Sequence, residues 1–176
     1  MKHWVMDYET LSNCFTGVFE DYKTMETEIF VIHDLQNDLD KLVSFLNINI
    51  ANKEWHISYN GLAFDAQITH FILDNHDDWW DLSGCEIANT LYRYAQRTIE
   101  KSNKKEFADY PQWKMSVGQI DIFKMHHWDN PAKRSSLKWI QYSMDWDNIL
   151  EMPIHHTAAI TTKEEIDTIL EYCIND

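Results

Sequence analysis

The stretch His-Trp-Val-Met-Asp-Tyr-Glu, residues 3–9, decides the fold, because its side chains alternate in character as those of a half-buried β-strand do. One face carries large core-forming side chains, namely Trp4, Met6 and Tyr8. Asp7 and Glu9 share the opposite face, where the rise of a strand places residues i and i+2 roughly 7 Å apart. The stretch therefore predicts a strand that packs on one side and presents two carboxylates on the other.

Hydrophobic patterns in the rest of the sequence predict further strands and helices, and hence an α/β domain. Further strands are predicted over residues 14–21, 27–33, 55–59 and 118–123. Helices are predicted over residues 38–50, 64–74, 84–101 and 135–144, and residues 103–116 form a loop. A last helix follows Thr161 or Thr162, with Glu164 or Glu165 placed to complete a capping box. Hairpin strands followed by strands separated by helices predict a mixed five-stranded sheet flanked by helices.

Composition indicates one folded domain over residues 1–176. Hydrophobic residues make up 44% of the chain, with only 4 Gly and 3 Pro, which excludes disordered and low-complexity classes. No apolar run is long enough to span a bilayer, and no signal peptide is visible. The three scattered cysteines, Cys14, Cys85 and Cys173, are typical of a reduced cytoplasmic protein and fit neither a disulfide framework nor a zinc motif.

Two further carboxylates stand out at remote positions. Asp65 lies in the first turn of a predicted helix, where the helix dipole alone would favour it. Tyr172 and Asp176 are four residues apart, so they share one side of the last helix, where an ordinary tyrosine and a solvated aspartate are the alternative. Together with Asp7 and Glu9, these carboxylates match the needs of a two-metal phosphodiester-cleaving site.

The three pieces together resemble a known family. Asp7-x-Glu9, Asn60-x-x-x-Phe64-Asp65 and Tyr172-x-x-x-Asp176 are similar to the three motifs of DEDDy-type 3′–5′ exonucleases. Their order and spacing most resemble the proofreading domain of family-B DNA polymerases, including protein-primed phage enzymes. The resemblance spans nearly the whole chain and implies an RNase H-like fold.

The resemblance also implies roles for these residues. It assigns two Mg²⁺ or Mn²⁺ ions to four carboxylates: Asp7, Glu9, Asp65 and Asp176. Tyr172 would orient the attacking water, and Asn60 and Phe64 would shape the site around the terminal nucleotide. The chain ends on Asp176, where the family continues, so a fragment of a longer polymerase and a stand-alone relative both remain open.

The net charge of −14, from 15 basic and 29 acidic residues, argues against a protein that binds nucleic acid tightly. Basic residues cluster twice, however: Arg93, Arg97, Lys101, Lys104 and Lys105 form one stretch, and Lys133, Arg134 and Lys138 the other. The second stretch precedes and enters a predicted helix start, which favours phosphate. We expect it to contact substrate phosphates more than the first does. A solvated loop is the alternative.

The leading functional prediction is release of 5′-mononucleotides from the 3′ end of single-stranded or frayed DNA, as in proofreading, with a polymerase domain or replication proteins as partners. RNA remains open, because discrimination depends on contacts to the 2′-hydroxyl. One alternative is a non-catalytic exonuclease-like module that binds nucleic acid or assembles a polymerase. Another is an unrelated acidic protein in which the motifs occur by chance. The complete set of carboxylates and tyrosine favours the enzyme.

The tryptophans are expected mainly in the core or in interfaces. Trp139 lies in a predicted helix with Leu137, Ile140 and Met144, which places it among packed residues. Unpaired bases also stack on tryptophan, so a role in binding single strands is the alternative.

Overall fold

The computed structural model describes residues 2–127 and 135–175. Its strands are β1 (His3–Thr10), β2 (Phe15–Asp21), β3 (Thr27–His33), β4 (Gln36–Asn37), β5 (Trp55–Ser58) and β6 (Gly118–Asp121). Its helices are α1 (Leu39–Asn52), α2 (Asp65–Asn75), α3 (Gly84–Asn103), α4 (Ile122–His127), α5 (Leu137–Ser143) and α6 (Lys163–Asn175).

The strands form one mixed sheet in the order β4-β3-β2-β1-β5-β6. The first four are joined antiparallel, whereas β5 adds parallel to β1 and β6 adds parallel to β5. The parallel register of β1 with β5 ends at the pair Val5 and Ile57. Asp7 and Glu9 therefore lie beyond that pairing, at the carboxyl end of β1, where α/β sheets commonly bind ligands.

The sheet packs against helices on both faces. On one face, β1 contributes Trp4, Met6 and Tyr8 to a core that includes Leu42 of α1, Ile68 of α2 and Leu91 of α3. On the other face, a smaller cluster joins the sheet to α6 through Leu11, Cys14, Val31, Ile160, Ile166 and Ile169. Because Phe30 and Ile32 belong to the first cluster and Val31 to the second, β3 shows the alternation of a strand buried on both faces.

The predicted mixed α/β sheet flanked by helices is confirmed, but the predicted count of five strands is wrong. The sixth strand, β4, pairs its two residues with Ile32 and His33 at the sheet edge. A two-residue strand is too short to show any alternation in sequence.

The predicted strand over 118–123 also ends early, at Asp121. The carboxylate of Asp121 accepts a hydrogen bond from the backbone N–H of Lys124 at 3.3 Å. That contact satisfies an N–H of the first turn of α4, so the apolar residues after Asp121 enter a helix and not a strand.

The predicted capping box of the last helix is confirmed at Thr162 and Glu165. The backbone N–H of Glu165 donates to Thr162 Oγ1 at 3.2 Å, and the backbone N–H of Thr162 donates to Glu165 Oε2 at 3.0 Å. The reciprocal pair fixes where α6 begins, and hence which residues of α6 face the sheet.

None of the helices between residues 2 and 127 or between 135 and 175 combines the length and the apolar character that a bilayer span requires. The 20-residue α3, for example, buries one stripe and exposes charged residues on its other side.

Candidate active site

The site begins with Asp7 and Glu9 on the central strand. Both side chains are half-buried, and they alternate with the buried Met6 and Tyr8, as the sequence predicts. Glu9 lies opposite Thr16 in the antiparallel register with β2. The two carboxylates therefore lie on the face of β1 that is turned away from the large aromatic core.

Asp65 is placed beside them by the connection that follows β5. The chain leaves β5 at Ser58, makes a single turn of 3₁₀ helix over Gly61–Ala63, and starts α2 at Asp65. Asn60 adopts a left-handed conformation with φ of 63°. Asp65 is only 3% exposed, so a carboxylate that the helix dipole alone would leave in solvent is here buried.

Asp121, which sequence reasoning did not single out, holds this connection in place. Its carboxylate accepts hydrogen bonds from the backbone N–H groups of Asn60 at 3.0 Å and Leu62 at 3.1 Å. It therefore ties the carboxyl ends of β5 and β6 together. Asp121 was placed inside a longer predicted strand, so its sequence context gave no sign of this role.

Gly61 allows the connection to pass close to the site. A Cβ at this position would lie 1.7 Å from Ser58 Oγ and 3.4 Å from Asp65 Oδ2. The first distance is far inside van der Waals contact, so a larger residue would push the turn away from Ser58 and displace Asp65.

The three carboxylates share one electrostatic environment. Burial and the negative charges of Asp7 and Glu9 raise the pKa of Asp65 well above its usual value, against the opposing effect of the backbone N–H groups of Asp65 and Tyr8. Asp65 Oδ1 is buried and accepts no hydrogen bond from any described residue. Because a buried acceptor without a partner is costly, this oxygen fits a cation ligand.

The arrangement is not a compact coordination shell. Among the described residues, no group of three or more His, Cys, Asp or Glu side chains is arranged to hold a metal ion. The predicted fourth ligand, Asp176, lies outside the described residues. Asp65 interacts electrostatically with Asp7 and Glu9 without completing such a group, and their repulsion is what a bound cation would relieve.

Helix α6 brings its last turns against this acidic region. Tyr172 and Cys173 are both buried. The Cys173 Sγ atom lies 3.5 Å from the backbone oxygen of Asp7 and 3.6 Å from its Oδ2. Burial and the charges of Asp7 and Glu9 raise the pKa of the Cys173 thiol well above its usual value. The contact fixes Tyr172, the neighbouring residue, within the same part of the molecule.

A cleft of about 620 Å³ opens beside the start of α2. Both predicted substrate-contacting residues, Asn60 and Phe64, line it, together with Tyr59, Phe123, Lys124 and Ser135. The rings of Tyr59 and Phe123 meet edge to face at 5.4 Å, and the Tyr59 hydroxyl donates to the backbone oxygen of Ser135 at 2.6 Å. The volume lies within the usual range for small-molecule sites.

The predicted phosphate-contacting residues are only partly described. Lys133 and Arg134 lie outside the described residues. Lys138 Nζ pairs with Glu151 at 3.0 Å and lies 5.4 Å from the centre of the Tyr172 ring. Lys138 thus joins α5 to the tyrosine of the predicted site.

The other basic stretch is partly engaged in ion pairs of its own. Arg97 and Lys101 both pair with Asp109, and Lys104 pairs with Glu100. In helix α3 these pairs offset positive charge that a phosphate would otherwise meet.

Trp139 does not lie in the core, since 62% of the residue is exposed, and its place in an interface stays a prediction. The only buried residue of the short helix α5 is Gln141, and Tyr142 and Trp146 are exposed as well. The apolar pattern of this helix therefore produces an aromatic surface next to Lys138.

No protein-family model matches the chain, and no curated protein or solved structure gives a significant match. We therefore infer the function from the residues and geometry of this chain.

We expect Asp65→Asn to stabilise the cation-free protein at neutral pH. With a folded-state pKa above the usual 3.8, Asp65 contributes stability that is fully present below that pH and lost as the pH rises through the folded-state pKa. The amide removes this loss, so the free energy of unfolding in EDTA should rise and vary less with pH. Urea unfolding between pH 4 and 8 measures both effects.

Asp121→Asn is the matched control for that experiment. It also replaces a buried aspartate, but both of its oxygens accept backbone hydrogen bonds, whereas Asp65 Oδ1 has no donor among the described residues. We expect it to destabilise the protein, because an amide NH₂ would face backbone donors. A loss of stability in Asp65→Asn similar to that in Asp121→Asn would contradict the account of Asp65.

Proposed function

We propose that the chain is a metal-dependent 3′–5′ exonuclease with an RNase H-like fold. The observation that carries the proposal is the buried Asp65 carboxylate, with an oxygen lacking a described partner, beside Asp7 and Glu9 of the central strand. The antiparallel β1-β2-β3 meander, extended by two parallel strands through helical connections, supports the fold assignment.

Asp7, Glu9, Asp65 and Asp176 are the residues that would hold two Mg²⁺ or Mn²⁺ ions. Such a pair, when bound, stabilises the attacking and leaving oxygens of an in-line displacement at phosphorus. Hard oxygen ligands suit both ions. The chemistry of the donor set fits, because three of the four carboxylates interact electrostatically and one is buried without a compensating positive charge, while the described side chains themselves do not form a coordination shell.

The remaining residues bind and orient the substrate in this proposal. In this proposal the cleft lined by Asn60 and Phe64 receives the terminal nucleotide, since Phe64 directly precedes Asp65 at the start of α2. Asp7, Glu9 and Asp65 are not among the described residues that line this cleft. Tyr172, held in the last turns of α6 beside the Asp7 contact, orients the attacking water by its hydroxyl. The protein contributes mainly positioning, which can supply a large part of such a rate enhancement.

Single-stranded DNA is the proposed substrate, because a cleft that binds the 3′ end of a strand needs a free and unpaired terminus. Exposed aromatic side chains near Lys138, such as Trp139, can stack on bases and so reduce the need for positive charge in a protein of net charge −14. Within a polymerase, or beside replication proteins, the activity would serve proofreading.

Digestion of a 5′-labelled single-stranded oligonucleotide tests the proposal. With Mg²⁺ or Mn²⁺ we expect a ladder that shortens from the 3′ end, with 5′-mononucleotides as products and no cleavage in EDTA. Circular single-stranded DNA of the same composition should survive, and a matched RNA oligonucleotide shows whether the sugar matters. Cleavage of the circle, or cleavage in EDTA, would contradict the proposal.

The exposed aromatic residues also favour a second candidate, a non-catalytic assembly module. Phe107 is 95% exposed and Trp113 is 82% exposed, and both lie in the segment that follows α3. Large exposed aromatic side chains often mark interaction surfaces. This candidate predicts binding without hydrolysis under every cation condition, so the digestion assay separates the two.

We expect neutralisation of Lys133, Arg134 and Lys138 to weaken binding of single-stranded DNA. Each lost phosphate contact should reduce the salt dependence of the affinity by about one unit of slope. The Lys138–Glu151 pair is a surface pair worth about 0–1 kcal/mol, so it can yield to a phosphate. Affinity should be measured over a salt series with Ca²⁺ in place of Mg²⁺, to retain the substrate uncut.

The matched control replaces Lys101, Lys104 and Lys105 with alanine and changes the net charge equally. Because Lys101 shares the partly buried Asp109 with Arg97, and this stretch does not lead into a helix start, we expect a smaller change of slope. If the salt dependence of DNA affinity falls equally in the two triple variants, the total charge alone explains the effect, and the proposed phosphate contacts of the second stretch are wrong.

A further inference from the structure

The thiol of Cys173 points at a carboxylate of the proposed site. Its Sγ lies 3.6 Å from Asp7 Oδ2 and 3.5 Å from the Asp7 backbone oxygen, across 166 residues of sequence. The residue is only 3% exposed. A buried cysteine usually packs as a small apolar group, but here its sulfur contacts the backbone oxygen and one carboxylate oxygen of Asp7.

The surroundings of the thiol belong to the site as well. Thr16 lies opposite Glu9 across β1 and β2, and its buried hydroxyl has no hydrogen-bond partner among the described residues. Asp65, whose buried Oδ1 lacks a described partner, is coupled electrostatically to Asp7. The thiol therefore lies beside the Asp7 carboxylate, and not in the apolar contact that Ile166 and Ile169 of α6 make with the sheet.

We propose that Cys173 is a positioning residue that holds the Asp7 carboxylate for cation binding. A thiol is a weak hydrogen-bond donor, and its S–H can donate to Asp7 Oδ2. Groups that orient a ligating carboxylate typically affect metal affinity or activity 10–100-fold. The inference rests on the proposed function, because it gives Asp7 the role of a cation ligand.

The chain supplies a matched control in Cys14. It is also fully buried under α6, in the apolar cluster with Ile166 and Ile169. Loss of its sulfur should loosen the same interface between α6 and the sheet without removing a donor to Asp7. A general effect of packing would therefore appear in both cysteine variants, whereas a positioning effect appears only at Cys173.

The experiment measures Mn²⁺ binding to the full chain by titration calorimetry, with thermal unfolding in EDTA recorded in parallel. Cys173→Val replaces the sulfur with two methyl groups and removes the donor, and it should weaken Mn²⁺ binding about tenfold. Cys173→Ser restores a donor and should stay within about twofold of the wild type. Cys14→Ala should bind Mn²⁺ like the wild type even if its melting temperature falls.

The outcomes separate this inference from the proposed function. If the wild type binds Mn²⁺ and Cys173→Val binds it equally well, the positioning role is wrong and the proposed function stands. Equal weakening in Cys173→Val, Cys173→Ser and Cys14→Ala would also overturn the role, since packing alone would explain it. A wild type that binds no Mn²⁺ overturns both.

Discussion

Replacement of Asp7 by asparagine should abolish hydrolysis while leaving the fold intact. The substitution keeps the shape of the side chain and removes one charge from the carboxylates that meet beside the central strand. Because a lost cation ligand acts mainly on the transition state, we expect the rate to fall by about 10³-fold or more. Single-turnover cleavage of a labelled oligonucleotide at saturating Mn²⁺ measures the loss.

The cation-free Asp7→Asn protein should be at least as stable as the wild type, since like charges packed together repel one another. Glu28→Gln is the control, because it removes one charge from an exposed position of β3 in the same sheet. We expect that variant to cleave normally. Cleavage by Asp7→Asn at the rate of the control would remove Asp7 from the mechanism.

Removal of the Tyr172 hydroxyl should slow cleavage much more than it weakens cation binding. In Tyr172→Phe the ring remains buried in α6 with Lys138 above it, so the packing of the helix is retained. If the hydroxyl orients the attacking water, the rate constant should fall about 10–100-fold, with Mn²⁺ affinity within about twofold of the wild type. Cleavage kinetics and calorimetry on the same samples separate the two quantities.

Tyr142→Phe removes a hydroxyl from an exposed tyrosine of α5 and serves as the matched control. It should cleave at the wild-type rate. Equal rates for Tyr172→Phe and the wild type would leave Tyr172 with a packing role only, and the DEDDy-type assignment would be wrong.

The parts of the fold with long regular patterns could be predicted from the sequence. The strict alternation over residues 3–9 placed Asp7 and Glu9 on one face of β1, as observed. The capping box at Thr162 and Glu165 set the start of α6. The spacing of apolar residues in the last helix predicts a buried stripe that includes Ile174, whereas the structure exposes Ile174 and buries Tyr172.

Features that depend on distant contacts could not be predicted in this way. The Cys173 thiol meets Asp7 only because α6 packs across the sheet, and no local pattern encodes that contact. Asp121 ends β6 because its carboxylate binds the backbone of the β5 connection, a constraint that comes from a neighbouring strand. Trp139 belongs to an apolar helical pattern, yet α5 has little core to pack against.

The burial of Asp65 at the candidate site also depends on distant contacts, so it could not be predicted from the local sequence. Its place in a helix first turn was visible in sequence, and that context predicts an exposed, dipole-stabilised aspartate. Burial arises because the turn at Gly61 passes within contact of Ser58 and directs the start of α2 toward β1. The raised pKa of Asp65 is thus a property of the tertiary structure.

Anomalous diffraction from crystals of the full chain soaked in Mn²⁺ would locate the cations themselves. We expect two Mn²⁺ peaks at the carboxylates of Asp7, Glu9 and Asp65, and loss of at least one peak in crystals of Asp7→Asn. Ordered Mn²⁺ only at surface positions remote from Asp7 and Asp65, or none at all, would contradict the proposed cation site.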